Sequence, residues 1–160
     1  MEKFESCLNF VLNHEGYKSD QKDDSGGKTI FGISSASFPV EVAQMDKMTF
    51  DEARQVAKGV YYRNFWVPMN CDNYYPRISL ALFDSAVQHG AGRVQGWVKE
   101  LTAPKGNIEV LLTAHDLLFR REQFYLDIIK NNPSQVKFFV GENERDGWIQ
   151  RVVDIMKYPL

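Results

Sequence analysis

The sequence predicts a mainly α-helical fold with one small β-hairpin near its start. Apolar residues recur at helical spacing through most of the chain, and a polar segment rich in Asp, Ser and Gly, from Lys18 to Lys28, interrupts them once. A short β-branched and aromatic run, Thr29 to Ile33, follows that interruption. With 160 residues, 44% of them hydrophobic, the chain can bury one proper core, and it carries no repeats, low-complexity tracts or long linkers.

Each element has its own local cause. Phe4, Cys7, Leu8, Val11 and Leu12 mark the apolar face of a first helix, and Gly16 is a natural stop that leaves Glu15 at its C-terminus. Lys18 to Lys28 reads as a turn or hairpin tip, and Thr29 to Ile33 as a short strand. Thr49-Phe50-Asp51-Glu52 is a capping box that opens a helix with Ala53, Val56, Ala57, Val60 and Tyr61 on its apolar face, in a region ended by Pro68. Pro76 starts a helix through Leu80, Phe83 and Val87 that Gly90 and Gly92 close, and a short helix around Val94 to Leu101 follows. Pro104-Lys105-Gly106-Asn107 is the clearest punctuation. It divides the chain into regions 1–104 and 105–160, expected to pack into the same compact domain. The run from Ile108 to Ile129 carries Leu111, Leu112, His115, Leu118, Glu122 and Tyr125 at helical spacing, and a last helix is expected from Trp148 to Met156.

Charge and special residues exclude several function classes. With 19 basic and 21 acidic residues there is no global basic surface to grip nucleic acid through its phosphates. Cys7 and Cys71 are too few and too separated for a disulfide framework or a metal site, and Cys7 reads as a small core residue. Three scattered histidines offer no ligand spacing, so neither a metal nor another cofactor is expected. Met1-Glu2-Lys3-Phe4 lacks the basic start of a signal peptide, and no segment approaches the ~18 apolar residues of a membrane span. The expectation is a soluble chain made in the cytoplasm, without stable membrane association.

The chemistry concentrates between Glu15 and Ile33. Cleaving a glycosidic bond takes one carboxyl to protonate the leaving oxygen and a second group to stabilise the cation or activate water. Glu15 follows an apolar helix, where partial desolvation raises a carboxyl pKa and suits a general acid. Asp24, in a polar Gly-rich turn, should stay ionised, and the Thr29 hydroxyl lies five residues beyond it. Asp20 and Asp23 compete for the second carboxylate and rank below Asp24. Gly26, Gly27 and Gly32 read as conformational necessities that let the hairpin turn tightly and approach a sugar.

Elsewhere, Asp84 shares a helical face with Leu80 and Val87 and is read as a structural hydrogen-bonding group. His14 could tune Glu15, His89 is a candidate to line a cleft, and His115 reads as a satisfied core histidine. Tyr61, Tyr62, Phe65, Trp66, Tyr74 and Tyr75 cluster densely enough for sugar stacking, with core packing the default for about half of them. Trp148 and Arg151, three apart on a helix, can present an apolar and cationic face to a substrate, or serve helix packing.

Three segments together are similar to a known family. Val11-Leu12-Asn13-His14-Glu15-Gly16-Tyr17, continuing through Asp24-Ser25-Gly26-Gly27-Lys28-Thr29-Ile30-Phe31-Gly32-Ile33, resembles the N-terminal signature of the N-acetylmuramidases of glycoside hydrolase family 108, found in phage and prophage endolysins. Tyr61 to Pro68 resembles the family's aromatic-Trp-Pro segment, and Leu82 to Gly90 its Asp-containing helix closed by Gly. Arg121 to Tyr125 and Gly147 to Arg151 resemble the C-terminal region to which the family's peptidoglycan binding is attributed. Only Gly16 separates Glu15 from Tyr17 where the family usually has two glycines, and Gln88 stands where an Asn is usual.

The resemblance implies a lysozyme-like helical domain whose hairpin lines the active-site cleft. It also implies hydrolysis of the β-1,4 bond between N-acetylmuramic acid and N-acetylglucosamine in peptidoglycan, with consequent cell-wall lysis. Glu15 would be the acid, Asp24 the base or electrostatic partner and Thr29 its helper. Substrate contacts would come from Tyr17, Gly27, Gln88, His89, Trp148 and Arg151. Region 1–104 would be catalytic and 105–160 a C-terminal helical, peptidoglycan-binding region. A monomer is expected, reaching the wall through a holin-type agent. Inverting chemistry needs the carboxyls about 6.5–9.5 Å apart and retaining chemistry about 5–5.5 Å, and sequence leaves both open. A lytic transglycosylase and a catalytically silent wall-binding protein are the alternatives.

Overall fold

A computed structural model describes residues 2–19, 27–104, 109–141 and 147–160. Asp20, Asp23 and Asp24 lie outside the described residues, as do Ser25, Gly26 and most of the expected hairpin tip. The fold is mainly helical with a small three-stranded antiparallel sheet, as the sequence predicts. It divides into two compact units, Met1–Pro68 and Met69–Leu160, and the expected break near residue 104 falls inside the second.

The first unit begins with helix α1 (Glu2–Glu15), which buries Phe4, Cys7, Leu8, Phe10 and Val11. Strands β1 (Lys18–Ser19), β2 (Thr29–Ile30) and β3 (Ile33–Ser34) follow, with β2 central and the registers Lys18 to Ile30 and Ile30 to Ile33. The single strand expected over Thr29 to Ile33 is thus two strands, because Phe31-Gly32 forms a two-residue loop between them. Helix α2 (Pro39–Met45) has no helical signal in the sequence beyond proline at its first turn. Helix α3 (Phe50–Tyr61) opens on the expected capping box, in which the Thr49 backbone N–H donates to Glu52 Oε2 at 2.9 Å. It continues into one π-helical turn, Tyr62–Trp66, that packs Tyr62 and Trp66 edge-on against Phe4. Lys58 pairs with Glu5, and Arg54 Nη2 donates to Asn9 Oδ1 at 2.7 Å, so α1 and α3 are also tied along their polar edges.

The second unit is built on α4 (Pro76–His89), where every residue from Ser79 to Ala86 is buried. A helix hydrophobic on all sides belongs at the centre of a bundle. Helices α5 (Ala91–Leu101), α6 (Ala114–Asn131) and α8 (Trp148–Lys157) pack around it, and α7 (Val136–Val140) lies against α8. Two boundaries differ from expectation for local reasons. Gly90, at φ +82°, turns the chain so that α5 starts at Ala91, with Gly92 inside it. Thr113 caps α6 by accepting from the Asp116 N–H at 3.1 Å, which starts that helix at Ala114 instead of Ile108. His115 is consequently on the exposed side of the first turn and is not a core histidine.

Asp84 is fully buried and forms the polar centre of this bundle. Arg121 Nη1 donates to its Oδ2 at 2.7 Å, and Arg151 donates Nη2 and Nε to Oδ1 at 2.7 and 3.0 Å. One carboxylate thereby joins α4, α6 and α8. Burial raises the Asp84 pKa, but the facing guanidiniums of Arg151 and Arg121 outweigh it and hold the carboxyl below the usual range. Removing one partner of such a cluster leaves uncompensated buried charge, so Asp84→Asn is expected to destabilise the protein by about 3–5 kcal/mol in chemical denaturation. A loss under about 1 kcal/mol would contradict this role.

Candidate active site

The position of Glu15 follows from two glycines. Gly16, at φ +72°, ends α1, and its N–H donates to Leu12 O at 3.1 Å. This is the left-handed residue that commonly closes a helix. The half-buried Glu15 side chain then lies against the Phe31-Gly32 loop. A Cβ placed on Gly32 would fall 2.7 Å from Glu15 Cβ and 2.8 Å from its Cγ and Oε2. Any other residue at 32 would occupy the space that the carboxylate takes.

Phe31 and Gly32 have φ of +52° and +73°, the positive pair that a tight hairpin turn of primed type requires. For a bulky residue such as Phe31 this conformation is strained and needs external support. The Phe31 N–H donates to Tyr17 O at 2.6 Å, and Tyr61 Oη donates to Phe31 O at 2.7 Å. Its ring is buried against Tyr17 and Phe50, with centroids 4.9 and 5.2 Å away. The turn is therefore held from both chain directions.

The candidate residues divide between the two units. In the first, Tyr17 is half-buried just beyond Gly16, Gly27 is exposed at φ +67°, and Thr29 is half-buried on the central strand opposite Ser34. In the second, Gln88 and His89 are half-buried at the end of α4. Arg151 is directed at Asp84 as described, with its side chain 11% exposed. Trp148 stacks on Tyr125 at 4.8 Å and 24°, and the Phe138 ring lies 6.0 Å beyond it. Tyr125 Oη accepts from Arg121 Nε at 2.7 Å and lies 3.1 Å from His89 Nε2, so His89 and Trp148 meet through one tyrosine. Of the aromatic segment, Tyr61 and Trp66 are core, whereas Tyr62 and Tyr75 are exposed.

Phe31 and Tyr61 are positioning residues that the sequence reading assigned to a strand and to the core. Their signal was available, since Phe-Gly between Ile30 and Ile33 has the spacing of a two-residue hairpin loop. Among the described residues, no three His, Cys, Asp or Glu side chains converge as a metal ligand set.

The whole-chain fold has a counterpart among solved structures. The structure of Brucella abortus SagA superimposes with a TM-score of 0.67 and 18% sequence identity, covering 98% of this chain and 95% of that one. No curated protein sequence matches the chain. Residues 8–90 match the family described as Glycosyl hydrolase 108. That segment contains Glu15, the Phe31-Gly32 turn and Asp84, and the chain belongs to this family of glycoside hydrolases.

Two tests follow. Gly32→Ala places a Cβ in the Glu15 side chain and a non-glycine at positive φ, so thermal unfolding should report a loss of about 1–3 kcal/mol. An unchanged melting temperature would mean that the turn is not under this constraint. The second test concerns His89, whose pKa is lowered to about 3 by burial and by Arg121 beside it. The folded state keeps His89 neutral while the unfolded chain takes a proton near pH 6.5, so stability falls as pH drops from about 6.5 towards 3. The limiting slope is about 1.4 kcal/mol per pH unit, and denaturation of His89→Gln between pH 7 and 5 should show a shallower dependence than the parent.

Proposed function

We propose that the chain is a lysozyme-like N-acetylmuramidase that hydrolyses the β-1,4 bond between N-acetylmuramic acid and N-acetylglucosamine in peptidoglycan. The observation that carries this reading is the carboxylate of Glu15, fixed against the Gly32 backbone inside the segment that matches the Glycosyl hydrolase 108 family. In this reading Glu15 is the general acid that protonates the leaving glycosidic oxygen as the bond to the anomeric carbon breaks. Asp24 stabilises the resulting cation or activates the attacking water, assisted by Thr29. Tyr17, Gly27, Gln88 and His89 contact the glycan, and Trp148 with Arg151 belongs to a wall-binding surface. Trp148 is the stronger of that pair, because Arg151 already serves Asp84. Acting as an endolysin, the chain would depend on a holin-type agent to reach the wall.

Glu15→Gln is close to isosteric and is expected to keep the fold while lowering lysis of purified walls by about 10²–10⁴-fold. A fully lytic Glu15→Gln protein would overturn the assignment. Mass spectrometry of fragments released by the parent protein should show reducing N-acetylmuramic acid ends. Anhydromuramic ends would identify transglycosylation instead, and wall sedimentation without fragment release would identify a binding protein.

A further inference from the structure

A cavity of about 320 Å³ opens beside the C-terminal end of α1, at the lower end of the range for small-ligand sites and sized for one sugar unit. Asn9 and Asn13 line it from α1, Arg54 and Phe50 from α3, and Tyr17 and Phe31 from the hairpin. Leu12 and Gly16 complete the α1 side of the lining, so the cavity is adjacent to Glu15, which does not itself line it. The Phe31-Gly32 turn therefore serves two places, with Gly32 under the carboxylate and the Phe31 ring in the cavity wall.

The lining has the composition of a carbohydrate site. Phe50 is 50% exposed, yet its ring is set edge-on against Tyr17 and Phe31, with centroids 4.8 and 5.2 Å away. This arrangement leaves an apolar surface open in a pocket that also carries the polar groups of Asn9, Asn13 and Arg54. The exposed Asn13 amide makes no hydrogen bond among the described residues and so keeps both donor and acceptor for a ligand. Arg54 is oriented by its bond to Asn9 Oδ1, while the nearby Glu5, 3.9 Å from it, is engaged by Lys58. The remaining guanidinium N–H groups can meet an anion.

We propose that this cavity is a second carbohydrate site, adjacent to Glu15 but not lined by it. It takes an N-acetylated sugar bearing a carboxylate, with the ring on Phe50, the acetamido group on Asn13 and the carboxylate on Arg54. The proposal rests on the reading above that the substrate is a glycan of this chemistry, and it gives the enzyme a second hold on the strand that it cuts.

The test is a titration of ¹⁵N-labelled Glu15→Gln protein, in separate experiments, with N-acetylmuramic acid and N-acetylglucosamine. The side-chain amide signals of Asn9 and Asn13 should shift saturably, with N-acetylmuramic acid bound roughly fivefold more tightly and the difference lost in Arg54→Gln. Phe50→Ala should weaken binding of both sugars about tenfold. Asn13→Ala, which favours the helix and so keeps the fold, should weaken them as well. No saturable shift, equal affinity for the two sugars, or full affinity in both Phe50→Ala and Asn13→Ala would overturn the proposal. The titration breaks no bond, so its failure leaves the role of Glu15 untouched. Saturable binding together with a lytic Glu15→Gln protein would instead discard that role alone.

Discussion

The backbone turn at Phe31-Gly32 is the constraint on which the candidate site depends. A helix end by itself leaves a glutamate side chain free to sample many rotamers, and that freedom is costly to remove. Here Gly32 offers a surface without a side chain for Glu15 to lie on, and that surface exists only because two successive residues adopt positive φ. The strain is borne by Phe31, and it is countered above all by the buried Tyr61 hydroxyl from α3. The placement of Glu15 is therefore a property of α1, the hairpin and α3 together.

The second unit solves a different problem. A buried carboxylate between two guanidiniums is not a strong source of net stability, because desolvation of three charges offsets most of their attraction. What it supplies is register, since Asp84 can satisfy Arg121 and Arg151 together only when α6 and α8 hold one rotation about α4. The Arg121 guanidinium of that cluster also acts on the Tyr125 and His89 rings, where burial already disfavours an imidazolium. Neutral His89 beside a tyrosine stacked on Trp148 is the result.

Sequence reasoning worked where the signal was local. The capping box at Thr49, Pro76 at the start of α4 and Gly16 after Glu15 each act through neighbouring backbone groups, and each element begins or ends where those residues require. Glu15 was readable as a candidate for the same reason. Long-range partners were not. Nothing near Asp84 in the chain announces Arg121 and Arg151, so its burial could be inferred from periodicity while its partners could not. His115 failed because its apolar neighbours suggested a buried face, whereas a cap at Thr113 shifted the helix start and with it the rotation of the first turn. Helix α2 has only Pro39 in its first turn as a local sign, and its packing against α3 and the sheet is a tertiary matter. At Phe31 two signals conflict, since the Phe-Gly spacing between Ile30 and Ile33 marks a two-residue loop while the bulky residue type argues against positive φ.

The Asp84 cluster also bears on where the chain can be cut. The segment that defines the family runs from residue 8 to 90 and includes Asp84, but both guanidiniums that neutralise it come from residues 121 and 151. A fragment ending near residue 90 would lose both guanidiniums together with the helices that bury α4, leaving the apolar Ser79 to Ala86 stretch without its packing partners. The C-terminal helices therefore complete the packing of a helix that belongs to the matched segment.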